Sequence, residues 1–149
     1  MSDSDLLKLY SSRILALAAD IPHRGRLQNP DATARARSPL CGSTVTVDVK
    51  VAGDRITEFA QEVRACALGQ ASAAVFGASV IGLSETAIRR SRAQLVAMLK
   101  EGGPVPNPPF DALEALAPAR DYSNRHASIL LPFDATLEAL AHLQGPRAP

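Results

Sequence analysis

Two cysteines, Cys41 and Cys66, are the residues of this sequence best suited to chemistry. They flank a segment typical of a β-hairpin, in which valine alternates with polar residues over 44–51 and Ala52-Gly53-Asp54 has the composition of a tight turn. Antiparallel strands that turn near Gly53 bring Cys41 opposite residues 62–65, next to Cys66. Because paired strands lie about 4.8 Å apart, the two sulfurs are predicted to share one ion or one bond.

The chemical environment of each cysteine follows from its neighbours. Cys66 is predicted to begin a helix, where unpaired backbone N–H groups and the positive end of the helix dipole favour a thiolate. Cys41 lies in the loop Pro39-Leu40-Cys41-Gly42, whose proline and glycine free the backbone to present a side chain. The alternative is that both cysteines are small buried hydrophobic residues, as cysteine often is.

Composition indicates one ordinary domain. The 149 residues, 46% of them hydrophobic, suffice for a single domain over 1–149. With 16 basic and 15 acidic residues, the chain has no net field for nucleic acid or an anionic membrane. No apolar run reaches membrane-spanning length, and the N-terminus is acidic, so we expect a cytoplasmic protein. Thiols stay reduced there, which favours a metal or redox site over a disulfide.

The pattern of the chain predicts an α+β fold, a three-stranded antiparallel sheet covered by about five helices. The strand over 32–37 carries arginines, as edge strands often do, and the helix after Cys66 is rich in alanine and glycine, so it is expected to be buried. In chain order we predict helix 4–19, strands 32–37, 44–51 and 55–63, helices 66–78, 84–101, 110–117 and 132–143, a loop over 102–109 and a flexible tail over 144–149.

Signatures of conventional enzymes are missing from the sequence. There is no glycine-rich phosphate loop and no Gly-x-Ser-x-Gly elbow, and the acidic residues are scattered singly. We therefore expect that the protein is not an enzyme. His126 is the one histidine that we consider further, either as a metal ligand or as a surface or packing residue next to Arg125.

Three motifs resemble the NifU/IscU/SufU-type family of iron–sulfur cluster assembly scaffolds. Pro39-Leu40-Cys41-Gly42 is similar to the family's Pro-x-Cys-Gly-Asp motif, and 66–72 to its Cys-x-x-Ser-x-Ala-Ser motif. The segment 125–130 resembles the family's His-Cys-Ser segment, and 9–15 its opening helix. The resemblance spans about residues 5–143 and implies a SufE/NifU-like fold.

Two departures from the family pattern affect the site. Ser43 stands where the family has aspartate, and Ala127 stands where it has its third cysteine. The resemblance implies that Cys41, Cys66 and His126 remain as metal ligands, with Ser43, water or an outside group completing a tetrahedron. Zinc accepts such a set, whereas iron–sulfur clusters are most often held by four thiolates.

The resemblance implies a scaffold that binds iron, an iron–sulfur cluster or zinc through this reduced site. Its partners would be a cysteine desulfurase or other cluster-assembly proteins, and a second copy of the chain or another partner would supply missing ligands. Two alternatives stay open. One is a zinc-binding or metal-free interaction or regulatory protein of the same machinery, and the other is a persulfide acceptor in which Cys66 receives sulfur and Cys41 resolves it.

Overall fold

The computed structural model describes residues 10–144, which form three strands, four α-helices and a 3₁₀ helix. The bounds are α1 Ser12–Ala19, β1 Ala32–Arg37, β2 Thr44–Ala52, β3 Arg55–Arg64, α2 Ala67–Ser79, α3 Glu85–Lys100, the 3₁₀ helix Asp111–Asp121 and α4 Ser123–Gln144. The predicted α+β fold with a three-stranded antiparallel sheet and five helices is confirmed. Residues 4–9 of the predicted first helix and 145–149 of the predicted tail lie outside the described residues.

The sheet is an antiparallel meander in the order β1-β2-β3. Thr44 of β2 pairs with Arg37 of β1 on one side and Arg64 of β3 on the other. The β2–β3 turn has Gly53 at φ +62°, which glycine adopts without the steric penalty of a side chain. The β1–β2 loop and the end of β3 therefore lie at the same end of the sheet, so the predicted hairpin geometry is confirmed.

One face of the sheet forms the core. Val45, Val47 and Val49 of β2 are fully buried there, and α4 packs across β1 and β2. Helix α2 packs between α1 and α4, as its small side chains predict. An aromatic cluster joins α2 to the later helices, with the ring centroids of Phe76 and Phe133 4.7 Å apart. Burial of this cluster and the valines fixes which face of each strand points inward.

The other face is covered along part of its length by the segment before β1. Arg26 donates two hydrogen bonds to the buried carboxylate of Asp48, at 2.7 and 3.1 Å, and Leu27 N donates a third at 3.0 Å. Thr33 Oγ1 donates a fourth. Burial raises the pKa of Asp48, but the bonds from Arg26, Thr33 and Leu27 outweigh it and hold that pKa below its ordinary value. This segment leaves the cysteine end of the face uncovered.

The last helix is longer than the sequence predicts. We expected it over 132–143, but α4 begins at Ser123 and contains Pro132. Proline lacks an N–H, so it leaves the carbonyl of Ser128 without its helical hydrogen bond. Burial of the apolar run 129–131 holds the helix together across this position, and Ser72 Oγ donates to the carbonyl of Ile129 at 2.6 Å.

The helix predicted over 110–117 is also different. It is a 3₁₀ helix that runs from Asp111 to Asp121 and includes Pro118. Buried Leu113 and Leu116 anchor it against the core. By contrast, the predicted helix after Ser84 is confirmed, since the Ser84 hydroxyl accepts a hydrogen bond from Ala87 N and caps α3.

Candidate functional site

The loop between β1 and β2 presents Cys41 at the end of the sheet. Ser38 N donates to the carbonyl of Ser43, and Gly42 N donates to the carbonyl of Ser38, both at 2.9 Å. Gly42 has φ +70°, a conformation that side chains with a Cβ rarely adopt. These two hydrogen bonds close the loop into a compact turn from which the Cys41 side chain projects.

A chain of hydroxyl groups joins the two cysteines. Cys41 Sγ lies 3.2 Å from Ser43 Oγ, and Ser128 Oγ donates to Ser43 Oγ at 3.1 Å. Cys66 Sγ lies 3.6 Å from Ser128 Oγ. The other side of Cys41 is occupied by Ser38, whose Oγ accepts from the thiol at 3.2 Å. The structure thus brings Cys41, Ser43 and Cys66 into one site, as the sequence predicts.

The hydroxyl groups change the acidity of Cys41. Burial raises the pKa of its thiol, but hydrogen bonds with Ser38, with the side chain and backbone of Ser43, and with Ser128 outweigh burial and lower the pKa to about 7. A large fraction of Cys41 is therefore thiolate at neutral pH. Thiolate is the form that binds metals and attacks sulfur electrophiles.

Cys66 occupies the N-cap of α2, as the sequence predicts. Its carbonyl accepts a hydrogen bond from Gln70 N at 2.9 Å, which starts the helix. Both cysteines are free thiols and partly exposed, so neither is the fully buried hydrophobic residue of the alternative interpretation. That the helix terminus favours the Cys66 thiolate stays a prediction.

Close packing of α2 against α4 places Ser128 in the site. A Cβ built on Gly69, in the first turn of α2, would lie 2.5 Å from Ser128 Oγ and 2.8 Å from Ala65 Cβ. Real Cβ atoms essentially never approach other heavy atoms this closely, so a side chain at position 69 would force Ser128 or Ala65 to shift. The absence of a side chain at 69 lets Ser128 reach both Ser43 and Cys66.

His126 is held by a different interaction. Its Nε2 donates to the carbonyl of Ala119 at 2.9 Å, and its buried Nδ1 has no hydrogen-bond partner among the described residues. Because a carbonyl only accepts, Nε2 carries the proton and the lone pair lies on Nδ1. Ligating histidines are commonly oriented by such a bond from their second nitrogen.

The described residues do not assemble a complete metal site. Within 10–144, no three histidine, cysteine, aspartate or glutamate side chains converge so as to hold a metal ion. The structure thus brings Cys41, Cys66 and Ser43 together, while His126 as a ligand stays a prediction. The donor set fits two bonds from soft thiolates to an iron or zinc ion, with the remaining ligands from elsewhere.

Two residues of the site were missed from the sequence. Ser38 and Ser128 are fully buried and bond to Cys41 and Cys66, respectively. A signal for Ser128 exists, because it directly follows Ala127, the position of the family's third cysteine. Nothing in the local sequence of Ser38 distinguishes it from an ordinary loop serine.

The described residues form a small α+β domain with two free cysteines at one end of a three-stranded antiparallel sheet. A family model described as NifU-like N terminal domain matches residues 9–125. The chain belongs to this family.

Solved structures agree with that assignment. The N-terminal part of a nitrogen-fixing NifU-like protein from Brucella abortus is 43% identical, with a TM-score of 0.91 over 97% of this chain and 99% of that one. A protein from Fervidobacterium islandicum AW-1, named as an iron–sulfur cluster assembly scaffold for the SUF system, shares the fold. It is 22% identical, with a TM-score of 0.79 over 90% of this chain and 98% of that one. Among curated protein sequences, no match was found.

None of the helices in the described part of the chain has the length and apolar composition that crossing a bilayer requires.

Proposed function

We propose that the protein acts in iron–sulfur cluster assembly as a scaffold that carries iron or a cluster on Cys41 and Cys66. The observation that carries this proposal is the connection of two free, partly exposed thiols through Ser43 and Ser128 at one end of the sheet. The matching family model and the NifU-like relative support it.

The residues of the site have separate tasks in this role. Cys41, with its pKa of about 7, offers a thiolate to a soft metal at neutral pH. Cys66 offers the second sulfur from the start of α2. Ser43 and Ser128 keep the two sulfurs positioned before cargo arrives, and they can rotate to hydrogen-bond the sulfurs afterwards.

The remaining ligands come from outside the chain. Because a cluster is most often held by four thiolates, two copies of this chain, or one copy with a partner, would complete the set. The role is that of a scaffold rather than of an enzyme. A cysteine desulfurase or another cluster-assembly protein is the expected partner, and the cytoplasm is the compartment that keeps the thiols reduced.

A second candidate function is persulfide acceptance. The lowered pKa of Cys41 favours it as the attacking group, whereas the sequence suggested Cys66. The Cys41 thiolate would attack the outer sulfur of a donor persulfide, the donor thiolate would leave, and Cys41 would hold the new persulfide. Zinc binding without cluster assembly is the third, since zinc accepts two thiolates and outside groups would complete its tetrahedron.

Anaerobic reconstitution with ferrous iron and sulfide tests the proposal. Wild type, Cys41→Ala, Cys66→Ala and the double variant are compared by absorption spectroscopy and by iron, zinc and sulfide analysis of the same samples. We expect bound iron and sulfide in the wild type and loss of both in each cysteine variant, because each substitution removes a bond and a charge. Ser91→Ala, on α3, serves as the matched control. Equal iron content in the wild type and the double variant would contradict the proposal.

A further inference from the structure

Arginines occupy the uncovered end of the sheet's outer face, next to the cysteines. Cross-strand partners share a face, and the register places Arg37, Thr44 and Arg64 in one row and Arg35, Thr46 and Glu62 in the next. We call Arg35, Arg37, Thr44, Thr46 and Arg64 the basic sheet face. Four of these five residues, with Glu62, line a concavity of about 240 Å³.

The three arginines have no counter-charge of their own in residues 10–144. Glu62 forms its ion pair with Arg26, at 3.7 Å, and no ion pair of Arg35, Arg37 or Arg64 is formed within the described part of the chain. Arg35 and Arg37 lie on β1 and Arg64 lies on β3, with Thr44 and Thr46 of β2 between them. The chain as a whole carries a net charge of +1, so the positive charge here is a local feature and not a property of the whole surface.

The boundaries of the basic sheet face match an extended segment. The next row of residues toward the Gly53 turn contains Asp48, and Arg26 and Leu27 cover it by donating hydrogen bonds to its carboxylate. The opposite boundary of the basic sheet face is the loop that carries Cys41. Arg35 and Arg37 stand two residues apart on one strand, roughly 6.7 Å, which is also the spacing of alternate side chains in an extended peptide. At the loop, Leu40 is 74% exposed, which places an apolar contact beside the charged one.

We propose that the basic sheet face docks an acidic, extended segment of the partner protein that exchanges cargo with Cys41. Carboxylates at alternate positions of such a segment would pair with Arg35 and Arg37, and another carboxylate would pair with Arg64. The hydroxyls of the two threonines between the arginines would hydrogen-bond to the same segment. Charge complementarity of this kind speeds the encounter of the two proteins and fixes their relative orientation. Exchange of cargo with Cys41, in the adjacent loop, requires such an orientation. The inference rests on the proposed function, since a scaffold exchanges cargo with a partner.

A peptide probe tests the docking surface on the full chain. The probe is a fluorescent ten-residue peptide that alternates glutamate with threonine, and binding is followed by anisotropy at several salt concentrations. Arg37→Glu/Arg64→Glu is compared with Arg13→Glu/Arg90→Glu, which changes the net charge equally at exposed sites on α1 and α3. We expect roughly tenfold or greater weakening in the first variant, because two attractions become repulsions, and little change in the second.

Each outcome separates the docking surface from its alternatives. Equal weakening of peptide binding in both double variants would show that only net charge matters. Equally tight binding of a phosphate-rich oligonucleotide would show that the surface binds any polyanion. Either result overturns the proposal. Competition by millimolar inorganic phosphate at constant ionic strength would point to a small-anion site and also overturn it. Iron uptake is measured on the same samples. Peptide binding without iron uptake would refute the scaffold role and leave the docking surface standing.

Discussion

Hydroxyl groups surround the thiol of Cys41 in this chain. Ser38, Ser43 and Ser128 are each at most 4% exposed, and buried hydroxyls must find hydrogen-bond partners. They find them in one another and in the two sulfurs. The consequence is a site prepared for a thiolate before any metal or sulfur arrives, which the positions of the cysteines in the sequence do not reveal.

The acidity of Cys41 can be measured by alkylation. In a Cys66→Ala background, we expect the rate of reaction with iodoacetamide to rise with a midpoint near pH 7. Ser38→Ala removes a hydrogen bond to the sulfur and should move the midpoint toward the ordinary value of 9.0. Ser91→Ala should leave it unchanged. A midpoint near 9 with all serines present would show that the hydroxyls do not stabilise the thiolate.

The lowered pKa of Cys41 fixes the direction in which the stability of the fold changes with pH. The pKa of Cys41 is lower in the folded state than its ordinary value of 9.0, so folding favours the thiolate. This contribution to the free energy of unfolding is complete above about pH 9 and is lost as the pH falls through about 7. Urea unfolding in the Cys41→Ala variant should lack this rise between the two pH values.

At the scale of elements, the contact between α2 and α4 decides the geometry of the site. Gly69 allows the two helices to approach, and Ser128 lies at their contact. The alternation of valines and the small residues of α2 predicted the strands and the buried helix from sequence. The start of α4 was not predictable, because Pro132 is a helix-start signal and the packing that overrides it joins residues distant in the chain.

Gly69→Ala tests this contact. Alanine in a helix interior is usually about 0.5–1 kcal/mol more favourable than glycine. Here we expect the opposite, a loss of about 1–3 kcal/mol in the free energy of unfolding, because the new methyl group overlaps Ser128 and Ala65. Denaturant unfolding measures the change, and Ala78→Ser at an exposed position of the same helix is the control. A gain in stability would show that α2 and α4 have room to separate.

At the scale of the whole molecule, the proposed scaffold role calls for a second molecule, because the chain has two cysteines and a cluster is most often held by four thiolates. In the structure both thiols are free and partly exposed, so a second chain can reach them. The sequence could not identify the missing ligands, because ligands supplied by another molecule leave no pattern of residue spacing in this chain.

The loaded wild type should therefore be a dimer. We expect the cluster absorbance to sediment with a species of two chains, while the metal-free protein sediments as a smaller one. Ala127→Cys adds a third thiolate per chain, so its cargo should be retained at lower chain concentrations. Sedimentation velocity at the cluster wavelength measures both. Cluster absorbance on a single wild-type chain would contradict this expectation.

The connectivity of the sheet keeps this site away from the hairpin turn. In an antiparallel meander successive connections leave at opposite ends, so the β1–β2 loop and the β3–α2 junction share one pole and the Gly53 turn occupies the other. The nine residues of β2 separate the poles by about 30 Å. Beside the Gly53 turn, Ile56 N donates to the carbonyl of Leu83 at 3.0 Å, so this pole is held by contacts with the loop before α3 that involve neither sulfur. The Gly53 turn therefore offers a place for a label that lies far from both thiols.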